Sequence, residues 1–431
     1  MTATQTSGGT FYGWRVVGAA FVLAVFGWGM GFYGPPVFLS VVHETTGWPL
    51  ALISTAVTTH FLIGAAAGAN LPSLYRRFGA AATTKAAALS LAVGTLGWAI
   101  ADTRWQLFAA ALLSGAGWGA MSAVAVNAIV SPWFVRGRPA ALAMAYNGGS
   151  IGGVVFSPLW VAAIDRLGFP IATMVIGSVM AAVMWVLAEE LLSRTPQQMS
   201  LAPDGNAPAA RAMRLTRAAA NAHPGSLLWS DIAFRTLAAG MALGLFAQIG
   251  LVAHLFSLMT PILGAQQAGV AMGLATALAI AGRTLVGWII PLGVDRRLVA
   301  CASCAVQMTG SMAFIAAAGS SVPLLWLGIV LFGLGFGNST SLPPLIAQVE
   351  FVDEDVPRVV ALIVAIAQGA YAFAPAAFGL IREFAPQAGV MAAGAAPYLF
   401  IAAALIQAMA VAAFLAGRRR PAAASAVHVP D

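Results

Sequence analysis

Twelve runs of about 20 or more predominantly apolar residues occupy positions 15–40, 50–74, 82–101, 105–130, 139–164, 170–191, 231–258, 267–292, 298–318, 322–347, 358–382 and 391–416 of this 431-residue chain. The hydrocarbon core of a bilayer is about 30 Å thick, and one helix crosses it in about 20 residues. Lipid offers no water to backbone N–H and C=O groups, so a chain repeating such runs is restricted to helices that bond their own backbone. Glycine and proline inside the runs ("GFYGPP", "GGSIGG", "FAPAAFG") are compatible with this, because neighbouring helices take up the freed groups. The expected fold class is an all-α membrane protein with twelve transmembrane helices.

Only 8% of residues are charged, and 21 Lys and Arg stand against 14 Asp and Glu. A basic chain of this kind invites a nucleic-acid reading, but that requires a basic face on a soluble domain. Here the basic residues fall between apolar runs, so no nucleic-acid partner is expected. With the N-terminus inside, seventeen of them collect on one face, among them Arg15, Arg76, Arg77, Lys85, Arg136, Arg138, Arg211, Arg214, Arg217, Arg296, Arg297 and Arg418 to Arg420. Arg104, Arg166 and Arg382 fall on the other, and Arg283 alone falls within a span. This bias predicts both termini in the cytoplasm of a cell whose inner membrane holds the chain. The opening "MTATQTSGGTFYGW" has no basic n-region, so the first run is expected to remain as an anchor. Trp48, Trp105 and Trp326 outside, and Trp14, Trp133 and Trp229 inside, are expected at the membrane interfaces.

The chain also resembles itself at an offset of 218 to 220 residues: "GAGWG" at 115–119 matches "GLGFG" at 333–337, "PSLYRR" from Pro72 matches "PLGVDRR" from Pro291, and "ALAMAYNGG" at 141–149 lies on "ALIVAIAQG" at 361–369. The expected organisation is a six-helix half (1–191), a flexible basic linker (192–230), a second six-helix half (231–417) and a disordered tail (418–431). Two parallel repeats about an axis along the membrane normal make this chain similar to the major facilitator superfamily of transporters. Gly64 and Gly68, Gly115 and Gly119, Gly240 and Gly244, and Gly333 and Gly337 have the spacing that lets helices approach closely.

The segment "SPWFVRGRPAALAMAYNGGSIGGVVFSPL" (131–159), with "YGWRVV" in the first span and "GRTLVGW" in the eighth, resembles the oxalate/formate antiporter and monocarboxylate transporter branch of that superfamily. The resemblance implies that Arg283, the eighth-span arginine, binds a substrate carboxylate. Two features depart from the branch. The eleventh span lacks the lysine of the oxalate/formate antiporters, and Ala279 stands where animal monocarboxylate transporters carry an aspartate. One fixed cation favours a monoanion over a dianion. The superfamily's loop after the second span is degraded to "PSLYRRFG", whereas its repeat retains Asp295.

An arginine at the centre of a membrane helix costs about 2.5–3.5 kcal/mol on insertion scales. All fourteen acidic residues lie in loops, tails or span ends, so no intramembrane carboxylate is expected to pair with Arg283. Its planar fork suits a carboxylate brought in as substrate. The alternative is a structural arginine that bonds carbonyls or snorkels to the inner face with help from Asp295. His60 and His254 are candidates to carry a coupling proton, against the alternative of histidines bonded to backbone or hydroxyl groups. Tyr33, Asn147, Gln248, Asn338, Gln368 and Tyr371 lie near mid-depth in spans one, five, seven, ten and eleven and are candidate substrate contacts.

Cys301 and Cys304, in "CASC", read as small packing residues. No Walker A motif is present and no cluster of His, Cys and carboxylate converges in any span, so no cofactor, metal or enzymatic activity is expected. The leading expectation is a monomeric secondary transporter that moves a small, lactate- or pyruvate-like monocarboxylate through the lipid bilayer by alternating access, with a proton or by anion exchange. The alternatives are a dicarboxylate/formate-type antiporter or a drug exporter of the same superfamily, the latter disfavoured by the absence of an intramembrane Asp or Glu, and a non-transporting membrane sensor.

Overall fold

The computed structural model describes residues 11–205, 225–289, 294–352, 355–384 and 396–418. Among the described residues eleven continuous helices are long and apolar enough to cross a membrane. One of them, Leu50–Ile100, is 51 residues long and is broken at Gly79, whose φ of 81° and ψ of 161° lie outside the helical region. Only glycine adopts such a backbone without strain, so this element is two spans, α2 and α3, joined by a one-residue hinge. The others are α1 (Tyr12–Thr46), α4 (Arg104–Trp133), α5 (Arg138–Leu167), α6 (Phe169–Leu192), α7 (Ile232–Leu263), α8 (Ala265–Trp288), α9 (Arg296–Ala317), α10 (Val322–Glu350), α11 (Arg358–Phe384) and α12 (Pro397–Ala416). The chain is a multi-pass integral membrane protein of twelve spans in two pseudo-symmetric bundles.

Four spans are interrupted. α1 breaks at Phe32 and Tyr33, where Pro35 and Pro36 restart the helix, α4 at residues 120–122, α10 at Gly337, and α11 at residues 372–373. Glycine spacing explains which helices cross closely. A Cβ on Gly115 would lie 2.3 Å from the His60 carbonyl oxygen, and one on Gly119 2.1 Å from that of Gly64. In the second half a Cβ on Gly333 would lie 2.8 Å from the Ala275 oxygen, and one on Gly337 2.2 Å from that of Ala279. The same crossing is therefore built twice, α4 on α2 and α10 on α8, and only glycine permits it. The pair Gly240 and Gly244 corrects the spacing rule. Gly244 has no atom within 4 Å of its added Cβ, and Gly240 meets the Phe414 ring rather than a backbone.

The two halves meet tightly where the start of α2 lies against the last segment of α11. Glu383 of α11 accepts a hydrogen bond from the Ala51 N–H at 2.7 Å, capping the start of α2. The Ala376 N–H donates to Thr58 at 3.1 Å, and Gly379 lies directly on Ser54. Toward the opposite face the first segment of α11, Val356–Tyr371, barely touches α2. The halves are thus closed at one face and parted at the other.

Several surface expectations are corrected. Arg297 is not an inner-surface charge: it is fully buried and paired with Glu350 at 2.6 Å. Arg382 turns inward and donates to Ser257 of α7. Trp133 is 3% exposed and packs against Phe11 and Tyr12, whereas Trp105, at 85% exposure, stands free to anchor in lipid. The first part of the linker is docked. The Asp204 carboxylate accepts hydrogen bonds from the backbone N–H groups of Val135, Arg136 and Gly137 at 3.0, 2.8 and 3.1 Å. Burial opposes its charge, but those three donors and the nearby Arg136 guanidinium outweigh it, and its pKa sits below the ordinary aspartate value. Arg211, Arg214, Arg217, Arg419 and Arg420, with most of the flexible linker and the tail, lie outside the described residues.

Candidate substrate site

Arg283 sits on α8 where that helix crosses α10. Its neighbour Gly282 faces the Leu334 carbonyl, with 2.0 Å to an added Cβ, and Gly337 faces Arg283 itself, with 3.1 Å from an added Cβ to Nε. This packing pushes the guanidinium away from α10 and toward the first half. There Arg283 Nη2 donates to the Ser150 hydroxyl of α5 at 3.0 Å. Tyr33, at the break of α1, is 6% exposed; its hydroxyl partners Thr276 of α8 and lies in the field of Arg283. The Tyr33 ring rests on Gly153 of α5, where an added Cβ would come within 2.5 Å of it. One cation, two hydroxyls and a phenol, drawn from α1, α5 and α8, therefore converge between the halves.

Among the described residues no carboxylate joins them. Asp295, which the structural alternative would have used to help Arg283 reach the inner face, instead caps α9 through the Arg297 N–H at 2.9 Å and pairs with Arg418 at 2.6 Å. Among the described residues Arg283 has no acidic partner, and Ser150 is its one hydrogen-bond partner.

The other predicted residues fall in four places. Gln368 and Tyr371 of α11 line a narrow open cleft with Phe61, Gly64, Gly68 and Trp118 of α2 and α4. Asn338 lies inside the second half, donates to the Leu334 carbonyl at 3.4 Å and faces a smaller space shared with Gly240 and Cys304. Gln248 is 1% exposed, its side-chain carbonyl without a partner among the described residues. Asn147 is exposed on α5.

The two histidines differ. His60 has both ring nitrogens engaged: Nε2 donates to the Gly31 carbonyl at 2.8 Å and Nδ1 faces the Ser114 hydroxyl at 2.9 Å, which holds the ring inside the first half. His254 is fully buried; its Nε2 donates to the Pro375 carbonyl at 3.1 Å, and its Nδ1 has no partner among the described residues. Sequence reasoning missed Ser150, Thr276, Phe61 and Trp118. A serine in "GGSIGG" carries no signal of its own, and the two aromatics read as ordinary core.

Comparison with known proteins agrees with this architecture. The Major Facilitator Superfamily model matches residues 17–375. No curated protein matches the chain in sequence. Among solved structures, a bacterial homolog of the human lysosomal transporter Spinster, inward-facing and unoccupied, is 14% identical, with a TM-score of 0.72 over 95% of this chain and 98% of that one. The inward-open xylose transporter XylE from E. coli is 12% identical, with a TM-score of 0.69 over 93% and 95%. The nucleoside transporter NupG is 13% identical, with a TM-score of 0.64 over 94% and 99%. These neighbours are transporters rather than enzymes. Twelve spans in two repeated halves and a family match over most of the chain lead to one conclusion: this chain belongs to the Major Facilitator Superfamily and is a transporter that works by alternating access.

Proposed function

We propose that the transported solute is a small monocarboxylate and that Arg283 is the residue that holds it. The observation that carries this is a half-buried guanidinium between the halves with a single neutral partner, Ser150. Such a cation needs compensation in a membrane, and its fork of donors fits the two oxygens of a carboxylate. A carboxylate entering from the parted face would neutralise Arg283 where α5 and α8 already meet. One cation favours one carboxylate over two. Transport is coupled to a proton or to exchange of a second anion. Of the two histidines His254 alone keeps a ring nitrogen, Nδ1, without a partner among the described residues, and it is the candidate to carry a coupling proton. We place the chain in the inner membrane as a monomer with both termini in the cytoplasm.

The test is uptake of carboxylic acids, lactate and pyruvate included, into vesicles holding the purified protein, with a pH gradient or a trapped counter-anion. Arg283→Lys keeps the charge but loses the two-point geometry, and uptake should fall at least about tenfold. Uptake unaffected by Arg283→Lys would remove Arg283 from the site.

A further inference from the structure

The contacts that close one face of the molecule form a reciprocal clasp. The start of α2 and the last segment of α11, Ala374–Phe384, run antiparallel, and three contacts between them follow in register. Ala51 meets Glu383, Ser54 meets Gly379, and Thr58 meets Ala376. Thr58 lies seven residues after Ala51, and Glu383 seven after Ala376, about two helical turns in each case. Each helix therefore gives one backbone N–H from its first turn and, two turns on, one side-chain oxygen that accepts the other's.

Both donors need that partner, because the first N–H groups of a helix have no acceptor within it. Pro49 precedes α2 and gives it no side-chain cap, and the first turn of α2 holds no acidic residue. Glu383 supplies the cap and the negative charge that a helix start favours. In α11 the helix restarts after residues 372–373, Pro375 has no N–H to give, and Ala376 donates to Thr58 at 3.1 Å. Gly379 lets the pair approach, with 2.5 Å from an added Cβ to the Ser54 Oγ. The other crossing between the halves, α5 on α8, is built differently. Gly269 and Gly273 lie on the Ser157 and Val154 carbonyl oxygens, 3.1 and 3.0 Å from their added Cβ atoms, and the Arg283–Ser150 bond there joins two side chains.

We infer that Glu383 and Thr58 are the gate residues of the transport cycle: each caps a helix of the opposite half, and together they set how often the closed face opens. Parting the halves at this face withdraws both caps at once, and water must then meet the Ala51 and Ala376 N–H groups. Removing an acceptor leaves an N–H unsatisfied while the face is closed and changes nothing once water reaches it, so the loss falls on the closed state. Neither side chain has to move within its own half for this to happen. The inference rests on alternating access and is independent of which solute is carried.

The experiment follows the reaction of N-ethylmaleimide with the full-length Ser54→Cys protein, peptide by peptide, by mass spectrometry. Ser54 is fully buried in the clasp, so a thiol there reacts when the face opens, at a rate that reports the open fraction. The native Cys304, buried inside the second half, is the internal control. Added to Ser54→Cys, Glu383→Ala should raise the rate at position 54 about tenfold and Thr58→Val about fivefold, with Cys304 unchanged. Glu383→Gln keeps an acceptor oxygen and should raise it less than Glu383→Ala. The inference is overturned by an unchanged rate at position 54 when Glu383→Ala and Thr58→Val are combined, by an equal rise at Cys304, which would mean a loosened fold, or by Glu383→Gln matching Glu383→Ala.

Discussion

Two arginines fourteen residues apart show what a buried charge contributes in this molecule. Arg297, at the start of α9, is fully buried and fully bonded. It meets Glu350 through Nε at 2.6 Å and Nη2 at 2.7 Å, Thr236 and the Phe414 carbonyl through Nη1 at 3.0 and 3.2 Å, and the Ala233 carbonyl through Nη2 at 2.8 Å. Those partners lie on α7, α10 and α12, so one side chain fastens one end of the second half. Gly417 is glycine because an added Cβ would collide with both Thr236 and Arg297. Arg283 has the same chemistry and one hydroxyl partner. The satisfied arginine belongs to the fold, and the unsatisfied one is the residue we propose for the ligand.

The largest effect should come from breaking the satisfied member. Arg297→Met leaves Glu350 without its charge partner and should cost about 3–5 kcal/mol, seen as loss of folded protein or a large fall in the thermal midpoint. Arg297→Met combined with Glu350→Leu should recover much of that loss; if it does not, the network is more than a paired charge.

Next in size is Arg283→Gln, which should reduce carboxylate uptake about 100-fold, or about 2.7 kcal/mol in the barrier. Its thermal midpoint should move little, because the lost charge-assisted hydrogen bond to Ser150, about 1.5–3 kcal/mol, is offset by removing an unpaired cation that costs about 2.5–3.5 kcal/mol in a span. A midpoint shift as large as that of Arg297→Met would erase the distinction between the two residues. Gly119→Ala and Gly337→Ala probe the crossings under this contrast. Each puts a methyl into a backbone carbonyl, and each should cost about 1–3 kcal/mol, with similar losses in urea or heat. A tolerated Gly337→Ala would mean that α10 does not press Arg283 toward α5.

The smallest effect concerns the exposed relative of these pairs, Asp295 with Arg418. Burial alone would raise the Asp295 pKa, but the Arg418 side chain and the backbone N–H groups of Arg297 and Leu298 hold it below the ordinary aspartate value. A depressed carboxylate adds stability above its unfolded pKa and loses it as pH falls through the folded value. With both side chains about one-third exposed, the gain is under about 1 kcal/mol. Acid melts of Asp295→Asn should lack this pH-dependent component; an identical acid profile would show that the pair contributes nothing.

Much of this was legible in the chain before folding. Arg283 stands in an otherwise apolar run, and the absence of any acidic residue inside the spans can be read directly. The doubled crossing was visible as "GAGWG" and "GLGFG". Arg297 was misread because an arginine beside another arginine at a span boundary has the same pattern whether it faces phosphate headgroups or turns inward to Glu350, 53 residues away. Ser150 and Trp118 were missed because a serine among glycines and a tryptophan in an apolar helix signal nothing until their neighbours are known.

What the sequence determined by itself was the number of spans, their apolar length, the repeat and the solitary charge, because each follows from local composition and the thickness of a bilayer. What only the tertiary structure decided was pairing: which arginine is satisfied, and which histidine keeps a ring nitrogen without a partner among the described residues. Those facts depend on residues 53 to 133 positions apart being brought within a few ångströms, and no local pattern encodes that distance.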